Sequence, residues 1–218
     1  MPLRIDAQLQ GLYLLLPPPP MDSGSLLALA LGYVLGSIPF GLVLTRLAGK
    51  GDVREIGSGN IGATNVLRTG SKPLAAATLI LDCLKATAAI LVARSIWPGS
   101  ENFAAAGAII GHLYPIWLKF KGGKGVATLL GVLIPLLWQA ALVYAVVWIL
   151  LLLTIRISSV AGMTAAASAP ATAAILQSSL LPMLLGFALL VVWKHRENIL
   201  RLKAGTEPRI IRHGSSRG

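Results

Sequence analysis

The sequence predicts an all-α, polytopic bundle of membrane-spanning helices, and three observations carry that prediction. The chain of 218 residues is 55% hydrophobic and only 12% charged, too few charges to cover a water-soluble domain of this size. Five apolar blocks approach or exceed the ~20 residues a helix needs to cross a bilayer: Leu26–Leu47, Leu74–Trp97, Phe103–Phe120, Val126–Ile155 and Val160–Trp193. The lysines and arginines gather in alternate gaps: Arg46, Lys50, Arg54, Arg68 and Lys72, then Lys119, Lys121 and Lys124, then Lys194 to Arg217. The intervening gaps hold only Arg94 and Arg156. This positive-inside asymmetry puts the N-terminus outside, and the glycine-rich loops and basic C-terminus in the cytoplasm.

The elements follow in order. Residues 1–20 read as a disordered N-terminal extension, because Leu12–Leu16 is too short to span and Pro17 to Pro20 stop any helix. No small-residue cleavage site follows the run, so it is not read as a signal peptide, and Met21 is an alternative start. The membrane domain covers 21–207. Its first block contains Gly36-Ser-Ile-Pro-Phe-Gly41, where Pro39 predicts a kink. The second carries Asp82 and Lys85 in mid-span. Charges there are costly, and an i,i+3 spacing predicts that the two pair with each other as a structural unit. Lone Cys83 can form no internal disulfide. His112, in the third block, is assigned to packing or helix-end hydrogen bonding.

The fourth and fifth blocks run to 30 and 34 residues and carry Pro135, Pro170 and Pro182. At ~1.5 Å per residue they exceed a ~30 Å core. Breaking both gives seven helices and keeps the C-terminus inside. Gly32, Gly36, Gly107, Gly111 and Ala161–Ala169 permit close helix packing or a groove for a lipid chain. Residues 208–218 form a basic, flexible tail. The net charge of +11 does not indicate nucleic-acid binding, because the aromatics lie in or beside the apolar blocks and not among the charges.

Two loops carry the chemistry. Gly57-Ser-Gly-Asn-Ile-Gly62 fits the dinucleotide pattern, yet no strand precedes it and no sheet is expected. What survives is a backbone nest for phosphate, with Gly57, Gly59, Asn60, Ser58, Thr64 and Asn65 as donors and Arg68 as a charged fork. Lys121-Gly-Gly-Lys-Gly-Val-Ala-Thr128 is not a P-loop, because Leu118 and Gly125 stand where its first glycine and its hydroxyl belong. It leaves Lys124 among Gly122, Gly123 and Gly125 at the start of an apolar helix, an anion site in which a Cβ at Gly123 would crowd the phosphate. His195 and Asn198 recur at helical spacing at the membrane surface.

Together Gly36-Ser-Ile-Pro39, the stretch from Gly57 to Arg68, Gly111-His-Leu-Tyr-Pro115 through Thr128, and His195-Arg-Glu-Asn-Ile199 through Glu207 resemble the PlsY family. These are bacterial inner-membrane acyltransferases that acylate glycerol 3-phosphate from acyl phosphate, releasing lysophosphatidic acid and phosphate. The resemblance implies seven transmembrane helices, a cytoplasm-facing site, and no metal, nucleotide or other cofactor. It implies Ser58 and Arg68 in catalysis or donor binding, the Gly122–Gly125 loop with Lys124 as the phosphate site, His195 and Asn198 as substrate-positioning groups, and Glu207 as structural. Its partners would be acyl phosphate, glycerol 3-phosphate, the bilayer and the enzyme that makes acyl phosphate. The residues five after His112 and His195 are Trp117 and Leu200, so the His-x4-Asp dyad of many glycerolipid acyltransferases is missing. A mixed anhydride is already activated and needs mainly positioning and charge stabilisation. His195 or a substrate phosphate oxygen could take the proton. The alternative is a transporter for a phosphate-bearing solute, which would want more polar residues through the spans.

Overall fold

The computed structural model describes residues 22–210. The predicted extension, the start at Met21 and the tail beyond 210 lie outside the described residues. Within them the chain forms α1 (Ser23–Gly36), α2 (Phe40–Leu47), the single turn α3 (Ala63–Val66), α4 (Lys72–Ile96), α5 (Glu101–Leu113), α6 (Val126–Leu136), α7 (Trp138–Thr154), α8 (Ser158–Ile175), α9 (Leu181–Lys194) and α10 (Arg196–Lys203). Short 3₁₀ turns cover Val53–Glu55, Leu67–Thr69 and Ile116–Leu118. No strand is present among the described residues.

Proline explains most of the interruptions. The first block stops at Gly36 and restarts at Phe40, with Pro39 capping α2; its ring cannot supply the N–H that would continue α1. The fourth block breaks at Leu137, which turns to φ −155° two residues beyond Pro135. The fifth breaks between Ile175 and Leu181, with Gln177 at φ 51° and Pro182 in the first turn of α9. Pro170 lies inside α8 without ending it.

The break at Leu137 corrects the side assigned to Arg156. The break folds α7 back along α6, with Tyr144 Oη donating to Val126 O at 2.9 Å. The turn between α7 and α8 therefore lies at the glycine-loop end, where Ile210 N–H donates to Arg156 O at 2.8 Å and Ser159 Oγ to Glu207 Oε1 at 2.6 Å. Arg94 stays at the opposite end, 3.5 Å from Glu101.

The radial pattern is the reverse of a soluble protein. The interior is built largely from alanine, with Ala86, Ala89, Ala104, Ala105, Ala108, Ala165, Ala166 and Ala169 fully buried. Leu26, Leu84, Leu142, Leu150, Leu153 and Leu189 face outward with about half or more of their surface exposed. Lipid tails solvate leucine as well as a protein core does, so close packing of small residues holds such helices together. The tightest crossing joins α1 to α5. A Cβ on Gly32 or Gly36 would lie 2.1 or 2.3 Å from the carbonyl oxygens of Ala104 and Ala108. Gly107 and Gly111 reciprocate against Leu29 O at 2.1 Å and Tyr33 O at 2.3 Å. These four glycines therefore serve helix packing, not a lipid groove.

Gly107→Val is expected to destabilise the bundle by ~3 kcal/mol, because the added atoms meet backbone that cannot move aside. Gly186→Ala, which faces open space, should leave thermal unfolding in detergent unchanged or slightly raised.

Candidate active site

Three segments converge at one end of the bundle, and each is held by a different device. The first, residues 52–68, is organised from within by Asn65. Its buried amide donates to Val53 O at 2.7 Å, Asn60 O at 2.8 Å and Ile56 O at 2.9 Å. Its Oδ1 accepts from Ser58 N at 3.1 Å, Ser58 Oγ at 3.4 Å and Arg68 Nη1 at 3.4 Å. With both N–H groups and the carbonyl in use, Asn65 frames the loop and has no donor left for the expected phosphate. Gly59 N–H is likewise bonded to Ile56 O, and Asn60 Oδ1 accepts from Gly62 N. Gly57 turns at φ +56°, and Arg68 lies directly over it: a Cβ there would be 2.5 Å from Nη1. The segment thus presents Ser58, Asn60, Thr64 and Arg68, and Arg68 has no carboxylate partner among the described residues.

The second segment lies flat against the end of α5. Gly122 N–H donates to Leu113 O at 3.2 Å and Gly123 N–H to His112 O at 3.0 Å. Added Cβ atoms would fall 2.1 Å from His112 O and His112 Nε2 respectively. Gly122 and Gly123 are therefore glycine because they press on His112, not because they give N–H groups to a phosphate. Gly125, at φ +87°, turns the chain into α6, whose first turn has no side-chain cap and faces the cleft through Val126 and Ala127. Uncapped N–H groups and the helix dipole favour an anion there.

The third segment runs from His195 to Glu207. His195 caps both the end of α9 and the start of α10, and donates Nδ1–H to Val191 O at 2.7 Å. A carbonyl can only accept, so Nε2 keeps its lone pair. Burial, assisted by the charge of Lys124, pushes the imidazole down to about 4. Asn198 is clamped on both sides: Nδ2 donates to Glu207 Oε1 at 2.6 Å, and Oδ1 accepts from Lys124 Nζ. Glu207 also accepts from Ser159 Oγ at 2.6 Å and Arg201 Nε at 2.8 Å. Burial works to raise the Glu207 carboxyl, but the bonds from Ser159, Asn198 and Arg201 outweigh it and hold it below the usual range. Lys124 is brought down to about 8 by burial and the nearby Arg201 charge, against the opposing pull of Glu207.

Ser58, Arg68, Lys124, His195 and Asn198 all line one cleft of about 250 Å³. One wall is apolar, with Ala75, Ala76 and Leu79 of α4 and Trp148 and Leu152 of α7. Two cations, an uncapped helix start and an unprotonated imidazole beside an apolar wall suit an amphiphilic anion. Ser58 has no histidine partner; its hydroxyl bonds Asn65. Ser158 and Ser159 also line the cleft. No motif marked them, because they reach it only through the break at Leu137. Asp82 and His112 reach its inner end. As expected, Asp82 and Lys85 pair, at 2.7 Å.

The family model described as Glycerol-3-phosphate acyltransferase matches residues 26–205. A Glycerol-3-phosphate acyltransferase of Mesorhizobium japonicum is 58% identical over 191 residues, covering 87% of this chain and 98% of that protein. One from Brucella anthropi is 58% identical over 186 residues, covering 84% and 92%. Among solved structures, PlsY, an integral membrane glycerol 3-phosphate acyltransferase, superposes in its glycerol 3-phosphate form with a TM-score of 0.82 at 37% identity, covering 87% of this chain and 96% of that one. Its lysophosphatidic acid form gives 0.79 at 36% identity over the same coverage.

Gly123→Ala is expected to cost ~1–3 kcal/mol of stability by driving a methyl into the His112 ring. Thermal unfolding in detergent would register it as a lowered midpoint without any ligand present.

Proposed function

The chain belongs to the glycerol-3-phosphate acyltransferase family, and on that premise we propose how it acts. It is a membrane acyltransferase that acylates glycerol 3-phosphate to lysophosphatidic acid, and membership decides against the transporter. Seven spans, counting α1 with α2 as one and then α4 to α9 without further pairing, would put the N-terminus outside and the cleft at the cytoplasmic face of the bacterial inner membrane. Support comes from the basic residues: the loops bearing Arg46 to Lys72, Lys119 to Lys124, Arg156 and Lys194 onward lie at the cleft end, and Arg94 at the other.

The donor is acyl phosphate. The observation that carries this reading is that Arg68 and Lys124, from separate loops, line one cleft with an apolar wall. Two cations suit two phosphates, and the wall suits a fatty chain. The 1-hydroxyl of glycerol 3-phosphate attacks the acyl carbon, the C–O bond to phosphate breaks, and phosphate leaves with the bonding pair. Arg68 and Lys124 hold the phosphates, aided by Asn60, Thr64 and the N–H groups from Gly125 onward. Asn198 positions Lys124, and Glu207 positions Asn198. Ser58 contributes a hydrogen bond and not a nucleophile, because no base adjoins it. His195, pushed down to about 4, is too weak a base to keep the proton. It accepts a hydrogen bond and orients the hydroxyl, while a phosphate oxygen, titrating near pH ~6, takes the proton. The basic end of the bundle would also meet the enzyme that makes acyl phosphate.

With palmitoyl phosphate and glycerol 3-phosphate, the protein in liposomes should release phosphate and lysophosphatidic acid in equal amounts. Arg68→Ala should lower turnover by about 10²–10³-fold. Turnover with palmitoyl-CoA alone would discard the donor, and glycerol 3-phosphate accumulating inside liposomes without product would discard the enzyme.

The pH profile separates the roles. The Lys124 ammonium, at about 8, is charged below that value, so KM for glycerol 3-phosphate should rise as pH passes upward through 8. Lys124→Arg, charged throughout, should lose this limb. On the acid side kcat/KM should fall below pH ~6 as the substrate phosphate is protonated. That limb should persist in His195→Asn; its disappearance would make His195 the base.

A further inference from the structure

Asp82, Lys85 and His112 meet inside the bundle and have no part in the reaction as described above. Lys85 Nζ lies 2.7 Å from Asp82 Oδ1, 2.8 Å from Ile38 O and 3.0 Å from His112 Nδ1. An ammonium has three N–H groups and no acceptor, so each contact is a donation and Nδ1 is the acceptor. A neutral imidazole accepting at Nδ1 carries its proton on Nε2. That N–H has no acceptor among the described residues, although the ring is only 4% exposed and lines the cleft. Gly123 keeps it uncovered, because a Cβ there would stand 2.1 Å from Nε2 and close off the donor. The donor therefore opens onto the cleft, where a bound ligand can take the place of water on it.

We infer that His112 is a catalytic residue: its Nε2–H donates to the carbonyl oxygen of the acyl donor and stabilises the charge that gathers there under attack. Position selects the carbonyl. The N–H adjoins Gly123, one residue from Lys124, and it lies at the depth of Asp82 on the α4 face that also presents Ala75 and Leu79. It is therefore next to the phosphate cation and inside the membrane-facing part of the cleft, where the joint between fatty chain and phosphate would rest. The Asp82 carboxylate at the same depth disfavours a phosphate there, while Lys85 neutralises it for an oxygen that becomes charged only in the transition state. Lys85 acts as a positioning residue that fixes the tautomer. The inference rests on reading this cleft as the site of acyl transfer.

Two substitutions divide the functions of the ring. In His112→Asn the amide oxygen replaces Nδ1 as acceptor for Lys85, but nothing reaches the place of Nε2. In His112→Gln an N–H is restored near that place. With palmitoyl phosphate and glycerol 3-phosphate, H112N should unfold near the wild-type temperature and lose about 10²-fold in kcat, with KM for both substrates nearly unchanged. H112Q should recover about tenfold. An unchanged kcat in H112N overturns the inference, as does a raised KM for palmitoyl phosphate at constant kcat, or losses that follow unfolding temperature equally in both variants. If neither variant folds, the wild-type protein decides. With ¹⁵N-labelled histidine in micelles, the His112 Nε2–H resonance should move when palmitoyl phosphonate binds, and an unmoved resonance overturns the assignment. Absence of wild-type turnover would instead strike the acyl-transfer reading itself.

Discussion

The carboxylate of Glu207 is the constraint on which the rest of the site depends. It draws together Ser159 at the start of α8 and Asn198 and Arg201 on α10, and through Asn198 it fixes Lys124 at the start of α6. Three parts of the chain thus take their positions from one anion. Removing a single member of a buried ionic network leaves the others unsatisfied, at a cost of ~3–5 kcal/mol where burial is complete. Glu207 retains partial access to the cleft, so its chief effect is geometric. It holds an amide at a fixed angle, and the amide holds an ammonium.

The bilayer explains why polar order of this kind collects at one end. Within the spans there is little hydrophobic drive to bury leucine, so the bundle packs glycine and alanine inside and leaves the large side chains outside. The α1–α5 glycine contacts bring two backbones close enough for Lys85 of α4 to reach both Ile38 O and His112. Close packing in the membrane and the Lys85 contacts at the cleft are in this way consequences of the same small residues.

Much of this was legible in the sequence. The apolar blocks and their prolines predicted the helices, including breaks in the two long ones, and the five residues Ser58, Arg68, Lys124, His195 and Asn198 do line a common cleft. What could not be read was the partner of each group. Asn65 looks like a free donor until its three carbonyl partners are seen, and Gly122 and Gly123 look like a phosphate nest until His112 is found against them. Arg156 fell at the wrong end because one break in a uniform apolar run folds the chain back without changing its composition. His112 read as packing or helix-end hydrogen bonding because its contact with Lys85 joins residues 27 positions apart in sequence.

The segment that carries Glu207 follows every helix of the bundle in chain order, yet Ser58 and Arg68 precede most of them. Translation and insertion proceed from the N-terminus, so the halves of the site are separated in time as well as in sequence. A nascent chain with its early loops already folded at the surface still lacks the anion that orients Lys124. The site is therefore assembled only after the segment beyond the last helix has docked under Arg156. Completion of the site thus coincides with completion of the fold.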